Sequence, residues 1–352
     1  MEILDTLKQF AIKESIVGYF PLGNGHINTT YLIMTKNKKC YVLQKINNNV
    51  FKDVDQLMHN IYLTTNFLVK KGYETLEIVP TKNSRLYYQD GSDYYRCYTY
   101  IDDVICYEGV NDLDAVYNTA KAFGRLHKSL FEFDATSLFE VIPDFHNTEK
   151  RYQKLLKSEH DDVCHRVSTC LDEIKALDKY ADEYSLINKL IQTGEVKIGV
   201  THNDPKINNV LFDKNNNDIR AVIDLDTVMP GSYLYDYGDA LRSLFTGEYE
   251  DTKDLSKIRV DIDILKAYTR GYLSEMSELL TKKEKELLPF AIFLLTIELA
   301  IRFLTDYLDG DVYFKTAYED HNLVRARTQL KLAQEIYSRM DELKKIIKEI
   351  DN

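Results

Sequence analysis

The sequence predicts a bilobal α+β protein, an antiparallel-sheet N-lobe followed by a larger and mostly helical C-lobe. Three observations carry this. Short runs of β-branched and aromatic residues, divided by Gly/Asn and Lys/Asn turns, fill the chain up to Ile101. Helical periodicity then takes over and holds to the end, apart from one strand-rich insert around 198–226. With 352 residues, 44% of them hydrophobic, the chain can fill two cores, and the expected parts are 1–101 and 102–352.

The opening "MEILDTLKQF" carries charge within its first five residues, unlike a signal peptide, and Ile3, Leu4, Leu7 and Phe10 mark one face of a short helix. Strands are expected over 17–20, 29–34 and 40–44, the first two joined by "PLGNGHINTTYLI" with its Gly23 and Gly25. A helix from about Asp55 to Lys71 ends at Gly72, and "SRLYYQDGSDYYRCYTYI" folds back at "QDGS". Past the connector "IDDV", residues 112–130 read as a long amphipathic helix. The most apolar run, "PFAIFLLTIELAIRFL", is broken by Glu298 and Arg302 and is expected to be a buried core helix rather than a membrane span. In the insert, "NNVLF" and "IRAVIDL" make two strands joined at "DKNNND", which would bring Asn209 and Asp224 to the same end.

Net charge is −11 and no basic block or stripe stands out, which argues against nucleic-acid and membrane partners. The five cysteines form no CxxC, and Cys164, His165 and Cys170 lack the second half of a zinc site. Scattered reduced thiols fit a cytoplasmic protein.

The chemistry is concentrated in the insert. "THNDPKINNVLFD" followed by "AVIDLD" sets His202, Asp204 and Asn209 at the offsets of a kinase-like catalytic loop, with Asp224 on the next strand. Phosphoryl transfer asks for positioning and charge neutralisation more than for covalent chemistry. Asp204 suits a base that orients the attacking hydroxyl and accepts its proton. Asn209 and Asp224 offer the oxygen ligands that Mg²⁺ wants beside nucleotide phosphates. Lys206 could set a cation against the transferring group, and His202 reads as loop scaffold. Asp226 is open to two roles, a second metal contact or a turn carboxylate. Asp236, in "YDYGDALR", reads as an anchor for the loop through backbone N–H groups.

In the first lobe, Gly23 and Gly25 would let the backbone approach phosphate oxygens, although two glycines also make a plain hairpin. Lys45, at the end of "YVLQKI", is either the lysine that pairs nucleotide phosphates or a solvated strand end. Adenine is expected against the connector near Tyr100 and Ile101.

"GNGHINTTYL", "YVLQKIN", "THNDPKINNV", "VIDLDTVMPG", "YDYGDALR" and "RFLTDYLDGDVYF" together resemble the aminoglycoside phosphotransferase and choline kinase superfamily, and within it most closely the N-acetylhexosamine 1-kinases. The resemblance implies a protein-kinase-like fold, ATP and Mg²⁺ as cofactors, and phosphorylation of the anomeric hydroxyl of GlcNAc or GalNAc. By position it implies that Arg302 and Tyr313, with Asp204 and His26, face the sugar; the alternative for Arg302 is a pair with Glu298, four residues earlier. One departure stands out. The N-lobe helix of such folds offers a Glu to the strand lysine, whereas "QLMHNI" has His59 there. Choline, homoserine or an aminoglycoside are the rival acceptors, and a catalytically silent nucleotide-binding module is the rival of another class.

Overall fold

The computed structural model describes residues 3–23, 27–107, 109 and 112–351. In chain order, α1 (Ile3–Leu7) precedes β1 (Ile16–Pro21), β2 (Thr29–Thr35) and β3 (Cys40–Ile46); α2 (Val54–Lys70) then leads to β4 (Tyr88–Asp90), β5 (Asp93–Thr99) and β6 (Val104–Ile105). Next come α3 (Leu113–Leu130), α4 (Thr148–Asp161), α5 (Leu171–Asp178), α6 (Leu186–Gln192), β7 (Gly199–Thr201), β8 (Val210–Asp213), β9 (Ile219–Val222) and β10 (Met229–Gly231). Helices α7 (Tyr233–Thr246), α8 (Ile262–Met276), α9 (Lys282–Leu308), α10 (His321–Ser338) and α11 (Met340–Asp351) close the described chain. The class is the α+β arrangement expected, sheet first and helices after.

Two compact units divide these elements. One comprises Met1–Cys106, Ser129–Pro143 and Asn209–Pro230, the other Tyr107–Lys128, Asp144–Asn208 and Gly231–Asn352. The sequence alone suggests a single boundary after Ile101, and the structure instead groups the β8–β9 hairpin with the sheet. The reason is local: β6, just past the connector, pairs antiparallel with β8 through Val104↔Asp213 and Ile105↔Phe212.

The first unit is built on a five-stranded sheet in the order β1-β2-β3-β5-β4, with antiparallel neighbours. Residues directly opposite one another in such a sheet share a face. The register therefore sorts the side chains into two sets. Ile33, Tyr41, Leu43, Tyr95 and Cys97 form one buried face, closed by Leu7 and Phe10 from the N-terminal segment. Leu32, Val42, Gln44, Arg96 and Tyr98 belong to the other. Asp53 caps α2 by accepting the Gln56 N–H at 3.0 Å, and Gly72 stops it in a left-handed conformation, φ 73°.

In the second unit α9 packs against α4, α7 and α10. It is long and apolar enough to cross a bilayer, yet 89% of its most apolar window is buried within the fold, so it serves as a core helix. Thr281 and Glu284 start it with a reciprocal capping box. The close approach of α7 needs Gly238, where a Cβ would lie 2.4 Å from the Ala291 carbonyl oxygen.

Candidate active site

The predicted catalytic loop begins in the second unit. There Asp236, in the first turn of α7, is buried, with a relative exposure of 1%. Its carboxylate accepts the backbone N–H groups of His202 at 2.6 Å and Asn203 at 2.7 Å, and meets His127 Nε2 at 2.7 Å. Burial opposes its charge, but the His127 imidazole and the loop N–H donors outweigh burial and hold the carboxyl below its ordinary range. His202 is itself buried, and its Nδ1 accepts the Asp204 N–H at 3.2 Å. Asn203 turns the chain with φ 63°. This scaffold delivers Asp204 half-buried, with Lys206 Nζ 2.8 Å from its Oδ1. Lys206, with Pro205 and Asn208, also lines a cavity of about 890 Å³ whose wall continues through Ser243, Lys257 and Arg259.

Arg242 lies near Asp204 and is held by Asp239, Nε to Oδ1 at 2.7 Å. Further along the unit, Glu298 does not pair with Arg302. It binds His146 Nδ1 at 2.9 Å and the Thr148 hydroxyl at 2.6 Å. Arg302 is left among aromatic rings, its guanidinium carbon 5.3 Å from the Phe145 centroid, 5.6 Å from Phe314 and 5.9 Å from Tyr313. Burial and the neighbouring Arg302 charge both lower the pKa of Arg151. Tyr313 is exposed, but its segment is fixed: Asp306 accepts the N–H groups of Val312, Tyr313 and Phe314 at 3.0, 2.8 and 2.9 Å.

The first unit carries the candidate metal ligands. Val210 pairs with Val222, and the Ile223 N–H donates to the Asn209 carbonyl at 2.8 Å, so Asn209 and Asp224 leave the hairpin at the same end. The predicted strand stops short of Asp224, which adopts a left-handed conformation, φ 62° and ψ 57°. An amide and a carboxylate suit Mg²⁺, which keeps waters and substrate phosphates rather than a full protein cage. Among the described residues no group of three or more His, Cys, Asp or Glu side chains that could hold a metal is found.

Asp226 is buried. Its Oδ1 lies 2.5 Å from Arg96 Nη2, and its Oδ2 accepts the Asn28 amide at 2.6 Å. Lys45 is paired at 2.6 Å with Asp93 and sits on the sheet face closed by α1, opposite to the face of Gln44 and Arg96. His59 turns to the Ser137 carbonyl at 3.1 Å and the Phe139 ring, so it does not serve Lys45. Tyr100 and Ile101 line a second cavity of about 480 Å³ with Lys39, Tyr73 and Glu74. Gly23 is described, with φ 70°; Gly25 and His26 lie outside the described residues.

Sequence reasoning missed Arg96, Asn28, Asn60 and Asp306. Arg96 had a readable signal, a lone charge inside the aromatic run "YYRCY". Asp306 had a weaker one, the acidic "TDYLDGD". Nothing in the sequence marked Asn28 or Asn60.

The profile of the phosphotransferase enzyme family matches residues 19–279. Among solved structures, an aminoglycoside phosphotransferase from Alicyclobacillus acidocaldarius superposes with a TM-score of 0.67 at 13% identity, over 99% of this chain and 97% of that one. An amicoumacin kinase in complex with AMP-PNP, Ca²⁺ and Ami gives 0.59 at 14%, over 95% and 92%. Choline kinase from Cryptosporidium parvum gives 0.55 at 16%, over 92% and 90%. At these identities the likeness is one of fold, and the fold is protein-kinase-like.

Proposed function

The chain belongs to the phosphotransferase enzyme family, and on that premise we propose that it transfers the γ-phosphoryl group of ATP to the anomeric hydroxyl of an N-acetylhexosamine, GlcNAc or GalNAc. Asp204 takes the proton of that hydroxyl. An anomeric hydroxyl is more acidic than an ordinary sugar alcohol, so a carboxylate is an adequate base. Lys206 keeps a cation beside the reacting oxygen. Asn209 and Asp224 would hold Mg²⁺, which when bound neutralises charge developing on the transferred phosphate. With both its oxygens engaged, Asp226 fits support of the turn better than ligation.

The observation that carries the choice of acceptor is Arg302 among Phe145, Phe314 and Tyr313. Aromatic boxes of this kind recognise quaternary ammonium ligands such as choline. Here the chain's own guanidinium occupies the box, and Arg151 stands near it. Two arginines repel choline and aminoglycosides but can donate hydrogen bonds to the hydroxyl, ring and amide oxygens of a neutral sugar.

Transfer of radioactive phosphate to a panel of GlcNAc, GalNAc, choline, homoserine and kanamycin, with Mg²⁺ and with EDTA, tests the reading. Metal-dependent labelling of the acetylated sugars is expected; labelling confined to choline or kanamycin overturns it. Replacing Arg302 with Ala should raise the sugar KM by about 10- to 100-fold with little change in kcat, the cost of a charge-assisted contact made equally in ground and transition states. Steady-state kinetics at saturating ATP would read this.

A further inference from the structure

Kinase-like folds tie the sheet to their moving parts through an ion pair between a strand lysine and a helix glutamate. This chain lacks the glutamate, and the sheet register sends its strand lysine elsewhere. In β3, Gln44 and Lys45 are neighbours and so point to opposite faces. Gln44 stands opposite Arg96 of β5, and Lys45 opposite Tyr95. Tyr95 belongs to the face closed by Leu7 and Phe10, and Lys45 finds Asp93 there.

The other face carries a buried network. Arg96, 1% exposed, donates from Nε to Gln44 Oε1 at 2.9 Å and reaches Asp226 with Nη2. Asn28 donates to the second oxygen of Asp226 and accepts the Asn47 N–H at 3.0 Å with its own. From α2, the buried Asn60 donates to the Val228 carbonyl at 2.9 Å and to the Phe139 carbonyl at 2.8 Å. Strand and helix thus both grip the segment just after Asp224, a residue whose left-handed backbone costs energy and persists only where its surroundings impose it. The Asp224 charge adds to the hold on the Arg96 guanidinium.

We propose that Arg96 is a positioning residue for the metal: by clamping Asp226 it fixes the turn that presents Asp224. Arg96 is too buried to meet the nucleotide itself. Its contribution passes through Asp224, and therefore falls on metal binding rather than on binding of the bare nucleotide. This rests on the kinase reading above.

The test uses the full-length chain and two readouts: the Mg²⁺ concentration for half-maximal turnover, and calorimetric binding of AMP-PNP with and without Mn²⁺. Arg96→Gln should raise the half-saturating Mg²⁺ and weaken Mn²⁺·AMP-PNP binding by about 10- to 100-fold, the usual cost of losing an outer-shell partner. Metal-free AMP-PNP should bind as in the wild type. Arg96→Lys should recover part of the loss, and Lys45→Met should match the wild type in every readout. If Arg96→Gln melts below assay temperature, the neutral pair Arg96→Gln with Asp226→Asn removes the clamp without burying a lone charge and should show the same metal defect. Wild-type metal dependence in the Arg96 variants overturns the proposal, as does a metal defect in Lys45→Met. A wild-type chain that labels no acceptor overturns the kinase reading instead, so the two failures are distinct.

Discussion

Replacing Asp204 with Asn should lower turnover by about 10²- to 10⁴-fold, the range over which positioned general bases contribute. The amide keeps the shape and can still orient a hydroxyl, but it cannot accept the proton. Acceptor and ATP should bind with nearly unchanged KM, because the loss falls on the transition state. Stability should hardly move. The pair with Lys206 leaves the lysine side chain 47% exposed and the carboxylate 29% exposed, and ion pairs of that kind contribute little to folding. A melting temperature within about 2 °C of the wild type is expected. Quenched-flow transfer and a thermal melt on the same preparation would measure both. A variant retaining a tenth or more of the wild-type rate would remove the proposed base.

The largest effect on stability should come from Asp236→Ala. Three donors converge on this carboxylate, the N–H groups of His202 and Asn203 and the His127 ring. All three would be left buried without an acceptor. Breaking a buried charged cluster from one side costs about 3–5 kcal/mol, because the orphaned partners stay desolvated. Turnover should fall with it, since Asp204 sits one residue past the anchored pair. The sign of the pH dependence is fixed by geometry. Asp236 is held below its ordinary value of 3.8 in the folded state, so its contribution is complete above that value and lost as pH falls through the lower one. Urea unfolding of both proteins should therefore show the gap still present at pH 4.5, above the range in which the carboxyl itself is protonated. A gap under about 1 kcal/mol would mean the anchor is dispensable.

Local signals made much of the fold legible. The strands at Ile16–Pro21, Thr29–Thr35 and Cys40–Ile46 and the helix Val54–Lys70 fall within a few residues of the positions their periodicity indicated. The "QDGS" turn and the insert hairpin were readable for the same reason, since turn residues bracket alternating apolar runs. Parity was harder to read. A strand shows each neighbour a different face, and the pairing sets Lys45 with Tyr95 and Asp93 but Gln44 with Arg96, a division that depends on register across strands. The partners of Asp226 were beyond reach for another reason. Asn28 lies 198 positions from it, and no local pattern encodes a contact at that separation. Asp306 was hidden because capping the turn at 312–314 depends on a loop geometry that composition does not specify.

The clamp on Asp226 has a consequence for how the protein is made. Arg96 and Asn60 are synthesised early, yet their partners Asp226 and Val228 come from the last stretch of the first unit, Asn209–Pro230. Between Cys106 and Pro230 the ribosome must add about 120 residues, which at 5–20 residues per second takes about 6–25 s. Throughout that interval the guanidinium lacks its Asp226 counter-charge. The clamp can form only after the chain has been made past Asn208, so the first unit is completed in sequence after a large part of the second.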